Sequence, residues 1–181
     1  MDHCAFQSRR RHQEGSRCDC CGFQRACYGN GSDQANRRAL TLWALELAKE
    51  TVLQLTEKYP EDRCPQEAIA AARAWVVGEI KIPIAKRANL NCHAMAKKLT
   101  DPADIAQCHA VGQTCSVATQ SAMPWDTPCM ISAIVLEHGL DNCRDAVEQR
   151  VMYYEQRLRY WMEYEKTCQL NWAGFLKNHN H

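Results

Sequence analysis

The sequence predicts an all-α fold: a single-domain bundle or irregular array of about six helices, preceded by a cysteine-rich N-terminal arm. Three observations carry this. Apolar residues recur at helical spacing almost throughout from Arg38 onward. Prolines and capping residues interrupt that pattern at intervals that leave short connections. No stretch alternates apolar and polar residues convincingly enough to make a strand. The 181 residues suit one domain plus an arm, and 46% apolar with 24% charged residues is a globular composition. The predicted organisation is an arm over 1–33, a helical domain over 34–166 and a C-terminal tail over 167–181.

The first helix is expected from about Gln34 to Lys58, with Leu40, Trp43 and Leu47 on one stripe and Leu45 and Val52 on a second. Two stripes imply a wide buried face. Tyr59-Pro60-Glu61-Asp62 stops it, because a proline disfavours helix in the residue before it. Pro65 suits the first turn of a second helix, where its missing N–H has no intrahelical partner to lose. That helix carries Ile69, Ala72, Trp75 and Val76 and ends near Gly78, a left-handed cap. A third opens at Pro83 with Ile84, Ala88, Cys92, Met95 and Leu99 at helical spacing. Asp101 caps a fourth, with Pro102 in its first turn and Asp104 complementing its dipole. It is expected to reach about Gln120 with Ile105, Cys108, Val111, Cys115 and Ala118 inward. A break over 123–128 precedes a fifth helix that follows Pro128. The sixth runs from about Asn142 to Lys166, with Val147, Val151, Tyr154, Leu158 and Trp161 on one face.

Net charge is +1, so no general attraction to nucleic acid or anionic lipid is expected, and no apolar run approaches the roughly 18 residues of a membrane span. The distribution is less even. Residues 1–38 hold seven arginines, no lysine and four acids. The opening Met1-Asp2-His3-Cys4 has neither a basic nor an apolar leader segment, which points to the cytoplasm and to thiols kept largely reduced.

Twelve cysteines are the unusual feature. Cys18, Cys20, Cys21 and Cys27 in the arm are dense enough to suggest a zinc site, since four thiolates can wrap one tetrahedral ion. Their C-x-C-C spacing departs from the usual paired pattern, which favours a thiol-rich arm without metal, hence no cofactor, over a zinc site. Cys92, Cys108 and Cys115 fall on inward stripes, where cysteine behaves as a small hydrophobe. Of seven histidines, His93, His109 and His138 lie in the helical part, and no His-x-x-x-His pair occurs within a helix. There is no phosphate-binding glycine loop and no G-x-S-x-G elbow, so the chain is not expected to be an enzyme.

A further pattern lies in Arg38-Ala39-Leu40 through Trp43-Ala44, then Tyr59-Pro60-Glu61-Asp62, Pro65, the run from Ala68 to Trp75, and Gly78-Glu79-Ile80-Lys81. It continues through Ala85, Ala88 and Cys92-His93-Ala94-Met95-Ala96 and fades after Gly112-Gln113. These segments resemble the helical immunity proteins of bacterial polymorphic-toxin systems. Cys64 stands where that family commonly has arginine, and the arm lies outside the resemblance. The resemblance implies a non-catalytic protein that binds and neutralises a cognate toxin. It also places Arg73, Trp75, Glu79, Lys81 and His93 as partner-binding residues. The same residues suit packing: Trp75 as a core ring, Glu79 and Lys81 as a helix corner. The alternative reading is a metal- or thiol-sensing helical protein working through the arm. Tyr153, Tyr154, Tyr160, Trp161 and Tyr164 crowd the last helix, so a homodimer through that helix is compatible with the pattern.

Overall fold

The computed structural model describes residues 34–119 and 126–176. The chain divides into two units, Met1–Ser32 and Asp33–His181, and every described residue falls in the second. Six α-helices and no strand occur among the described residues. They are α1 (Gln34–Lys58), α2 (Cys64–Val76), α3 (Ile82–Met95), α4 (Pro102–Thr119), α5 (Asp126–His138) and α6 (Arg144–Tyr164). Single 3-10 turns follow α3 and α6, and a third lies at Gly174–Leu176.

Two helices form the centre. α1 packs on α2, α4 and α6, and α4 packs on α1, α2, α3 and α5. Their sequences explain this position. From Ala39 to Ala48 α1 buries Thr41, Leu42, Trp43, Ala44, Leu45 and Leu47, which point in every direction around its axis. α4 buries Ala103, Cys108, Ala110, Val111, Thr114 and Cys115, small side chains that let neighbours approach from several sides. A helix buried around its circumference belongs in the interior of an array rather than at its edge. Leu55, Val76, Met95, Cys92 and Cys108 complete one continuous core.

Several expected boundaries recur with physical detail. Asp101 Oδ1 accepts from the Ala103 and Asp104 N–H groups at 2.8 and 3.4 Å, which satisfies donors at the start of α4. Gly78 has φ +83, and its N–H donates to Trp75 O at 2.9 Å, closing α2. Asp104 does more than face a helix dipole. Fully buried, it accepts from Lys58 Nζ at 2.7 and 2.8 Å and from the Tyr59 hydroxyl, tying the end of α1 to the start of α4.

Two expectations change. α5 begins at Asp126, so Pro128 lies inside its first turn, where a missing N–H breaks no bond. Ile84 and Val151, expected inward, are 56% and 46% exposed, because α3 and α6 turn other residues of the same period toward their neighbours. Residues 168–176, within the C-terminal tail, pack against the helical body. Trp172, Ala173 and Leu176 are buried, and the Ala173 N–H donates to Val76 O at 2.9 Å. Arg38 and Glu165 form a buried ion pair, and Arg38 Nη1 also donates to Leu176 O at 3.2 Å.

Candidate functional site

The corner between α2 and α3 carries most of the residues singled out by sequence. α2 ends at Val76, the Glu79 N–H donates to Ala74 O at 2.8 Å, and Lys81 is extended at φ −82, ψ 150 before α3 begins. Ile80 packs against the core and holds the turn down. Gly78 also lies against Ala173, whose Cβ would be 3.2 Å from a Cβ built at the glycine. The corner is therefore braced from below by the C-terminal segment. Arg73, Glu79 and Lys81 stand outward on it, exposed and without an ion pair among the described residues.

Trp75 and His93 are placed differently. Trp75 is only 6% exposed and belongs to the core, so its ring is not an anchor presented to solvent. His93 is half-buried between α3 and α4. Its Nδ1 lies 2.9 Å from His109 Nδ1, a distance at which one ring must donate and the other accept. Gly112 makes room for this pair, since a Cβ there would fall 2.5 to 2.8 Å from three atoms of the His93 ring. Asn89, 3% exposed, continues the seam: its Nδ2 donates to Ser116 Oγ at 3.4 Å and Ser116 Oγ donates to Gly112 O at 2.9 Å. The sequence places His109 in the helical part without joining it to His93, and it gives Gly112 and Asn89 no role at the site. A glycine inside a helical pattern was the one available signal of close approach.

Burial and the neighbouring His109 hold the His93 ring below the ordinary histidine value of 6.5. The unfolded ring protonates near that value, while the folded ring resists until lower pH. Between the two the unfolded state binds more protons, so this contribution to stability is present above about pH 6.5 and is lost as pH falls through the folded pKa. Urea midpoints are expected to decline from pH 7.5 to 5.5, and His93→Gln should flatten the decline. Gly112→Ala is expected to expel the His93 ring and destabilise the chain by about 1–3 kcal/mol, read by urea unfolding and by the ring's NMR shifts.

Two carboxylates of α1 make polar contacts with α6. Glu46 pairs with Arg157 at 2.7 Å and accepts from Trp161 Nε1; Glu50 pairs with Arg150 at 3.0 Å and accepts from Tyr153 Oη at 2.6 Å. Beside them Glu50, Ile134, Glu137, His138, Arg150 and Tyr153 help line an open groove of about 440 Å³. Its carboxylates are already engaged, Glu137 by Gln107 at 2.9 Å. Burial and Glu50 push Tyr153 up to about 12. Tyr154 is buried, while Tyr160 and Tyr164 stack on each other at the surface.

Three of the described thiols are held protonated. Burial raises Cys64 to about 11 and Cys108 to about 12, and lifts Cys92 further. A thiol held protonated is a poor nucleophile and a poor metal ligand. No group of three or more His, Cys, Asp or Glu able to hold a metal occurs among the described residues. Cys18, Cys20, Cys21 and Cys27 lie outside them. No helix among the described residues is long and apolar enough to cross a membrane.

Residues 31–157 match the family model described as Imm-5 like putative immunity protein. The chain belongs to this family. The match spans α1 to α5 and most of α6, well past Gly112-Gln113, so the immunity-protein family covers the helical body rather than its first half alone. No curated protein and no solved structure matches the chain.

Proposed function

We propose that this immunity-family protein binds a cognate bacterial toxin in the cytoplasm and holds it inactive as a stoichiometric, non-catalytic partner. Family membership across residues 31–157 is the observation that carries this reading. The geometry agrees with it. Arg73, Glu79 and Lys81 stand on a corner stiffened by a left-handed cap and by Ala173, and a preorganised surface loses little entropy on binding. These three residues touch the partner, whereas Trp75 and His93 support the surface from beneath.

The test is co-expression with the product of an adjacent secreted-toxin gene. Growth arrested by the toxin should resume when this chain is present at equal abundance, and continued arrest beside a folded, abundant chain would overturn the reading. Cys18, Cys20 and Cys21 replaced together by serine should leave protection intact. Loss of protection, together with one zinc ion per wild-type chain, would favour metal-dependent action of the arm instead.

A further inference from the structure

From Ile80 to Thr100 the chain carries Lys81, Lys86, Arg87, Lys97 and Lys98 and no acidic residue. Lys98 is bridged to Asp62 at 3.1 Å. The other four make no ion pair among the described residues. Pro83, Lys86, Arg87, Leu90 and Ala94 recur every three or four residues, which places them along one side of α3, and Lys97 follows in the 3-10 turn that extends it. All six are exposed. Leu90, 63% exposed, sits at the centre of this stripe, one turn from Lys86 and one from Ala94. The opposite side of the helix is fixed by Ala85, Asn89, Cys92 and Met95, all buried.

α6 offers a useful contrast. It also exposes apolar side chains, Val151 and Met152, but its charges answer one another along the helix, Arg144 with Glu148 and Arg159 with Glu155. α3 carries Lys86 and Arg87, and no acid among the described residues pairs with either. An exposed leucine with unpaired cations before and after it on one stripe suits an interface anchor with charged flanks. A nucleic acid fits it less well, because the stripe has no aromatic ring on which a base could stack and puts a leucine where a phosphate would need a donor.

We infer that the outer side of α3 docks an acidic protein surface, with Leu90 entering an apolar hollow and Lys86, Arg87 and Lys97 meeting carboxylates around it. This rests on the immunity reading and names the surface chemistry of the toxin: an apolar depression with an acidic rim. The stripe is continuous with the α2–α3 corner through Lys81, so one partner can cover both.

The experiment uses the full chain and the purified toxin against which it protects in the co-expression test. Leu90→Asp is expected to weaken binding about 30-fold or more, as for a central anchor. Lys86→Glu, Arg87→Glu and Lys97→Glu combined should slow association at least roughly 10-fold and remove its salt dependence. Met152→Asp on α6 should bind like wild type, and circular dichroism melts should show all variants folded. Wild-type affinity in both the Leu90 and the triple variant would overturn the inference and leave the immunity reading standing. A wild-type chain that neither binds nor protects would overturn both. Binding of a 30-nucleotide RNA that the triple variant loses, with toxin affinity unchanged, would overturn the inference in favour of nucleic acid.

Discussion

Glu165→Ala is expected to destabilise the helical body by about 3–5 kcal/mol, the range seen when one member of a buried ion pair is removed. Glu165 is 2% exposed, and its carboxylate takes Arg38 Nε and Nη2 at 2.9 and 3.2 Å. Arg38, at the start of α1, is buried as well. Without the carboxylate the buried guanidinium loses the counter-charge that it meets at 2.9 and 3.2 Å, while its bond to Leu176 O at 3.2 Å remains. The same contact fastens the turn after α6 and the C-terminal segment to α1, so the loss should loosen Trp172 and Leu176 as well. For a body of this size the thermal midpoint should fall by roughly 6–20 °C. Arg38→Met with Glu165→Leu should recover much of that loss, because an apolar pair of similar volume needs no desolvation. Urea and thermal unfolding of the single and double variants check both statements.

Trp75→Ala is expected to be comparably damaging, by about 3–5 kcal/mol, through the cavity left when a large core ring is deleted. The ring is 6% exposed and lies in the same core as Leu55, Val76 and Met95. Arg73→Ala, two residues earlier but exposed, should change stability by no more than about 0.5 kcal/mol. The pair separates packing from contact. Under conditions where both variants are folded, the Trp75 variant should bind the toxin domain nearly as wild type does, whereas the Arg73 variant should bind more weakly. Unfolding curves for stability and titration at low temperature for affinity make the comparison.

The helices were legible because their signals are local. Asp101 caps α4, Pro65 lies in the first turn of α2 and Gly78 takes the left-handed cap after it, each decided by atoms within a few residues. The inward cysteines 92, 108 and 115 were legible from period alone, and all three are fully buried. Period was less informative on α3 and α6. Ile84 and Val151 satisfy the helical repeat yet face solvent, because a repeat identifies a set of residues but not the direction from which the neighbours arrive. The candidate site divides in the same way. Arg73, Glu79 and Lys81 sit where a short, capped corner must expose them, but the contact of His93 with His109 joins residues sixteen positions apart on two helices.

By itself, the sequence determined an all-helical chain, the places where most of its helices begin and end, and the family of its body, since capping, proline geometry and residue pattern all act over short distances. Tertiary structure alone decided that α1 and α4 lie innermost, that 168–176 close the core through Arg38 and Glu165, and that Trp75 points inward while Leu90 points out. Those outcomes depend on which surfaces meet across long stretches of chain, and hydrophobic burial, being non-directional, names the residues to be covered without naming what covers them.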